Sequence, residues 1–184
     1  HWDVVEADGA WRVTVRHRED AVPADVLALL SADHKRIDGL LARALSLLNR
    51  GDAAAAVPLL QEFAVALKRH VGFEDGELAA SLGAERAAAD EPPAVMLREH
   101  REIAQQLALV EETLAIEPVD ASELAIYCTI LSGTLAKHEH REEHSLFPLW
   151  RAALLRRAGD ERAVLLKRAE DALRGGDASG AAAL

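Results

Sequence analysis

An all-α fold, an up-down-up-down bundle of four helices, is what this chain predicts, with an N-terminal β-hairpin in front of it and a short C-terminal helix behind. Three observations carry the prediction. Half of the 184 residues are apolar but only 4% are aromatic, so the core should be aliphatic, and the wealth of Ala and Leu favours helices. From Ala24 onward, apolar residues recur at three- and four-residue steps in four segments bounded by Gly, Pro and Asp. The four segments also repeat in pairs, as two copies of one helical hairpin.

The first element, WDVVEADGAWRVTVR over residues 2–16, places two Trp- and Val-rich runs on either side of Asp8-Gly9, a hairpin signal. A lone hairpin is marginal in water, so it should dock on the bundle, pair with another chain, or be what remains of a removed sheet. His17 to Pro23 reads as a polar linker, with Pro23 placed to open a helix. Segment A runs to about Asn49 and is closed by Gly51. Segment B starts at Asp52, a plausible N-cap, and runs to about Leu82 before Gly83, with Pro58 expected to delay its first turn. Segment C opens after Pro92-Pro93 and ends near Ala115. Segment D opens at Asp120, with Glu123 completing a capping box, and runs past Pro148, where a kink or break is expected. Gly159-Asp160 starts the short last helix, to about Leu173, and the tail GGDASGAAAL reads as disordered. The domain organisation is therefore 1–22 hairpin and linker, 23–157 bundle, and 158–184 helix and tail.

Composition excludes several functions. A net charge of −10, with basic residues scattered among acids, argues against nucleic acid as a partner. No run approaches the ~18 apolar residues of a membrane span, and no secretory leader is seen. The single cysteine, Cys128, excludes an intrachain disulfide, a thiolate zinc site and a four-thiolate iron–sulfur cluster, and reads as a small core residue. A reducing compartment fits, with cytoplasm as the expectation. Because His1 rather than Met comes first, the chain is expected to be processed, tagged or excerpted.

The chemistry lies in the apolar stripes, which histidines and glutamates interrupt. The stripe is Leu30, His34, Ile37, Leu41, Leu48 in A and Phe63, Leu67, His70, Glu74, Leu78 in B. In C it is Met96, His100, Ile103, Leu107, Val110, Leu114, and in D Leu131, Leu135, His138, Glu142, Leu149. A buried carboxylate is costly unless paired or metal-bound, and no Lys or Arg shares these faces. One or two dications would account for His34, His70, Glu74, His100, His138 and Glu142 together.

Spacing agrees. His70 and Glu74 are four apart, as are His138 and Glu142, so each pair shares a helical face. Asp33-His34 in A echoes Glu99-His100 in C, and HVGFEDGEL in B echoes HEHREEHSL in D. His34 precedes Asn49 by 15 residues and His70 follows Asp52 by 18; the same counts, 15 and 18, separate His100 from Ala115 and His138 from Asp120. At roughly 1.5 Å per residue the levels agree within about 5 Å. Imidazole and carboxylate without sulfur suit iron or manganese better than structural zinc. If Glu74 and Glu142 both bridge, each ion receives two nitrogens and two oxygens, leaving about two positions of an octahedron for solvent and an exogenous ligand.

The pattern H…HxxxE…H…HxxxE, followed by Leu146-Phe147-Pro148, resembles the hemerythrin or HHE cation-binding family over about residues 24–155. The resemblance implies two iron ions in a non-haem, oxo- or hydroxo-bridged centre, ahead of manganese or zinc. His34 and His70 would bind one ion, His100 and His138 the other, and Glu74 and Glu142 would bridge. Four histidines and two glutamates are closer to bacterial members, including the repair-of-iron-centres proteins, than to the invertebrate oxygen carriers with their five histidines, one Glu and one Asp. The hairpin also looks like the last strands of a small α/β domain that precedes some bacterial members, and would be where an upstream domain or protein partner attaches. The function implied is binding or sensing of dioxygen or a related diatomic rather than dedicated catalysis. The alternative is an enzyme or iron donor handling peroxide, nitric oxide or damaged iron–sulfur centres.

Other polar residues are weighed against this set. His140, Glu143 and His144 form an H-x-x-E-H zinc-peptidase pattern, but their face carries Ala136, Lys137 and Arg151, so solvated positions are expected. Glu77, Glu99, Glu139 and Glu143 flank the ligands and are candidates to accept imidazole N–H groups. Tyr127 lies 11 residues before His138, too far along the helix to join the site.

Overall fold

The computed structural model describes residues 25–174, together with the backbone of residues 2–7 and 10–15. The expectations for His1, the Asp8-Gly9 turn, the linker with His17 and Pro23, and the tail after Arg174 lie outside the described residues.

Helix α1 spans Val26–Leu48, α2 Ala53–Phe73, α3 Pro92–Leu114 and α4 Ala121–Arg141. Their starts reflect local chemistry. Asp25, Asp52 and Asp120 each accept backbone N–H groups of the first turn, relieving the unpaired donors of a helix N-terminus. Pro92 opens α3, where its missing N–H costs nothing. Gly51 and Gly83, at φ 77° and 66°, turn the chain out of α1 and out of the end of segment B, a conformation that a Cβ would strain. Only half of the expected capping box at Asp120 forms, because the Glu123 carboxylate instead accepts the Tyr127 hydroxyl at 3.0 Å.

The four helices touch their neighbours in the cyclic order α1, α2, α3, α4 and back to α1, as an up-down-up-down bundle requires. Two apolar clusters fill it. One, at the end of the α1–α2 and α3–α4 turns, is built on Leu41, Leu60, Phe63, Leu107 and Leu131; the other, at the opposite end, on Leu30, Leu78, Met96, Phe147 and Trp150. Cys128 sits in the first, and burial pushes its thiol up to about 11. No helix among the described residues is long and apolar enough to cross a membrane.

Three sequence expectations are corrected. The fold class is all-helical, without the β-hairpin as a part of its body: among the described side chains the core comes from helical segments alone. Residues Trp2–Ala7 and Ala10–Val15 pair antiparallel in a two-stranded ribbon with no third strand among the described residues. Four rods close a core without a sheet, and a lone ribbon has too little surface to build one. Pro58 does not delay α2: four alanines behind the Asp52 cap start the helix at Ala53, and Pro58 is carried inside it.

The third correction concerns the turn after each central glutamate. Both HxxxE pairs run into a π-turn, Glu74–Ala79 after α2 and Glu142–Leu146 after α4, and α5 (Phe147–Leu154) continues the second directly. A π-turn inserts one residue and rotates everything downstream. Leu149, expected in the D stripe, is therefore 42% exposed, while its neighbour Trp150 is fully buried. The π-turn also accommodates Pro148 at the start of α5 without a break in the chain. The last helix, α6 (Gly159–Arg174), is 16 residues long and lays Leu165, Ala169 and Leu173 against α1 and α2.

Candidate metal centre

Between the two apolar clusters lies a layer of polar side chains. On every helix it falls at the boundary: His34 between Leu30 and Ile37, His70 between Leu67 and Phe73, His100 between Met96 and Ile103, His138 between Leu135 and Leu146. Glu74 and Glu142, one turn beyond His70 and His138, complete it. All six are buried, none above 4% exposed.

The structure brings them into two overlapping groups. His34, His70, Glu74 and Glu142 form one, and Glu74, His100, His138 and Glu142 the other; in each, the four nearest nitrogen and oxygen atoms lie within 4.8 Å of one another. The imidazole Nε2 atoms point inward. His70 Nε2 is 3.0 Å from Glu74 Oε1, His100 Nε2 3.5 Å from Glu74 Oε2, and the Nε2 atoms of His34 and His138 are 3.4 and 3.6 Å from Glu142 Oε2.

The outward nitrogens are held by four further acids. His70 Nδ1 donates to Asp33 at 2.9 Å, His100 to Asp75 at 2.7 Å, His138 to Glu99 at 3.2 Å and His34 to Glu143 at 3.4 Å. These acids obey the hairpin repeat. Asp33 and Glu99 each precede the first histidine of their hairpin and hold the second. Asp75 and Glu143 each come directly after a bridging-position glutamate and hold the first histidine of the other hairpin. Glu99 and Glu143 were candidates from sequence; Asp33 and Asp75 were missed, although the acid beside His34 and beside Glu74 in both copies was the available signal. Of the remaining candidates, Glu77 pairs with Arg168 at 3.2 Å. Glu139 faces Asp38, and burial together with that acid, against the pull of His34, pushes its carboxyl up to about 7. His140 and His144 lie against each other on the exposed face, their rings tilted and their centroids 4.1 Å apart, and Tyr127 is tied to Glu123.

Burial and neighbouring charges set the electrostatics. Burial pulls the His70 imidazole down, but the Glu74 charge and the Asp33 hydrogen bond outweigh it and raise the ring to about 10. Burial pushes Glu74 up, yet His70 first and then His100 and His34 hold it at about 2. Glu142 goes the other way, raised by burial and by the charge of Glu74 beside it.

A cation fits this donor set on two counts. His34 Nε2, Glu74 Oε2 and both Glu142 oxygens are buried with no hydrogen-bond partner, a state that costs several kcal/mol per charged group unless something ligates it. His100 Nε2 and His138 Nε2 face each other at 3.2 Å. With both Nδ1 atoms donating, neutral rings would oppose two lone pairs there, which calls for a proton or a metal.

Comparison with known proteins agrees with the geometry. The family model described as the hemerythrin HHE cation-binding domain matches residues 25–150. The chain belongs to the hemerythrin HHE family. No curated protein and no solved structure matches it. The HHE match begins at the Asp25 cap of α1 and ends at Trp150, so it takes in the whole polar layer and both π-turns and stops before α6. For an HHE domain the buried carboxylates and imidazoles are the expected seat of its cations.

Proposed function

We propose that the centre holds two iron ions and that the protein binds or senses dioxygen or a related small diatomic. His34 and His70 would serve one ion, His100 and His138 the other, and Glu74 and Glu142 both. The observation that carries this reading is that the two glutamates belong to both four-residue groups, while each histidine belongs to one. Imidazole and carboxylate donors without thiolate suit iron. Iron bound there would supply open coordination positions and reducing electrons to a small molecule.

The chain's own residues do the rest. Asp33, Asp75, Glu99 and Glu143 hold the four rings by Nδ1, which leaves Nε2 as the nitrogen turned toward the ions. The apolar clusters above and below the layer exclude bulk water, which favours a small, weakly hydrated guest over a polar substrate. A reducing compartment such as cytoplasm suits ferrous ions and a buried thiol.

Metal analysis and an optical spectrum before and after oxygen exposure test the reading. About two irons per chain and an oxygen-dependent band that disappears on degassing are expected. Many turnovers of peroxide or nitric oxide per site, with no reversible band, would instead mark a catalyst.

A further inference from the structure

The polar layer is not equally enclosed on all sides. On the α1 side, Phe147 stacks on the His34 ring with centroids 6.3 Å apart, and Leu30 is fully buried behind it. On the other side, a narrow cleft runs between α3 and the second π-turn, and His138 and Glu142 form its floor. Met96, Glu99, Arg141 and Ser145 line its mouth. Glu142 arrives there buried, with both oxygens unpartnered.

Two features make the cleft selective. It has room for about one water molecule, so a larger guest enters only with movement of the walls. Its mouth is spanned by an ion pair between Arg141 and Glu99. The same Glu99 accepts His138 Nδ1 through its other oxygen, so one carboxylate both steadies a floor residue and holds the guanidinium across the opening. Arg141 is 47% exposed at its side chain and Ser145 is exposed, whereas Met96 is 2% exposed. The polar rim is therefore on the solvent side and the apolar wall is inside.

We propose that the exogenous ligand of the centre enters through this cleft, on the His138 side, with Arg141 as its gate. The inference rests on the proposed diatomic-binding function and adds the route and the size limit. A neutral guest of one to two heavy atoms enters as Arg141 leaves Glu99, and the Met96 wall turns larger ones away.

The test uses the iron-loaded full chain, mixed anaerobically with nitric oxide in a stopped-flow spectrometer. Ser145→Trp, which roofs the mouth from an exposed position, should slow association about tenfold, and Arg141→Ala should speed it severalfold. Arg141→Lys should lie near the parent. Val65→Trp is the control. It fills a wider groove between α1, α2 and α6 that reaches Asp33 but none of the six central residues, and it should change nothing. Iron content should be the same in all four. A second readout needs no iron: in a Met96→Cys chain the new thiol should be oxidised by hydrogen peroxide, a two-heavy-atom guest that leaves as water once the sulfenic acid forms, and adding Ser145→Trp should slow that reaction about tenfold, while Cys128 stays silent in its core. Ser145→Trp rates within twofold of the parent in both readouts, an Arg141→Ala association rate within twofold of the parent's, or slowing by Val65→Trp instead, would overturn the route. Should the iron-loaded parent take up no nitric oxide, the diatomic reading itself falls, and the thiol reaction still decides whether the cleft is the way in.

Discussion

Asp33 acts on the centre entirely through another side chain. It is 6% exposed, paired with Arg36 at 2.7 Å on one side and bonded to His70 on the other, so its negative charge is held ready for the ring. Burial pushes its carboxyl up, but the His70 and Arg36 hydrogen bonds more than offset that and leave it lowered. Asp33→Asn should keep the fold and lower metal affinity about 10- to 100-fold in competition against a chelator. His140→Ala, on the exposed ring pair, should leave metal content unchanged; a large loss would mean the wrong face of α4 has been assigned to the centre.

The same ring makes metal uptake sensitive to pH. In the metal-free protein His70 is raised from 6.5 to about 10, so its stabilising contact is complete below 6.5 and fades as pH climbs through 10. Glu74 is lowered from 4.5 to about 2, so its contribution is complete above 4.5 and fades as pH falls through 2. Both are whole between 4.5 and 6.5. Ligation requires the deprotonated imidazole, so metal must displace the His70 proton. Calorimetric titration at about pH 7 in two buffers of different ionisation heat should show proton release, with affinity rising toward pH 10. Equal heats in both buffers would mean the proton is already gone.

At the scale of single elements, the two π-turns do the most. Each starts at a glutamate of the centre; the second shifts the stripe beyond it by one residue and so brings Trp150 into the cluster that holds Leu78. They are tied together by the Trp150 indole, whose N–H donates to the Leu78 carbonyl at 3.0 Å from the far side of the bundle. Trp150→Phe removes that bond from a fully buried position, and a loss of about 1–3 kcal/mol in denaturant unfolding is expected. A weaker metal site should accompany it, because both glutamates sit on the turns that the indole joins. Full stability with unchanged metal affinity would show that the turns hold their shape without it.

For the whole molecule, the polar layer divides the core in two, and the two halves meet through it. Glu74 and Glu142 are like charges in one buried space, a cost that cations offset. Chelation should therefore leave helical circular dichroism largely intact, since the two apolar clusters remain. It should also lower the melting temperature, with about 4 kcal/mol recovered when metal returns at a thousandfold excess over its Kd. A melting point indifferent to metal would argue that the layer is a self-sufficient hydrogen-bonded network.

The helical fold, the four segments, the caps Asp52 and Asp120, the stops Gly51 and Gly83, and the six residues that the structure gathers at the centre could be read in the chain; the Asp25 cap was not. Periodicity and the duplicated HxxxE spacing are local properties, and a buried acid on an apolar stripe needs a reason that composition alone can pose. Which acids steady which rings was only half visible. Asp33 and Asp75 reach histidines 37 and 25 residues away, and that pairing exists once the helices are packed. Tertiary structure alone decided the π-turns, the exchange of Leu149 for Trp150 in the core, the place of α6, and the cleft over His138. Each depends on how one extra residue in a turn, or the docking of a distant helix, rotates side chains that the linear pattern treats as equivalent.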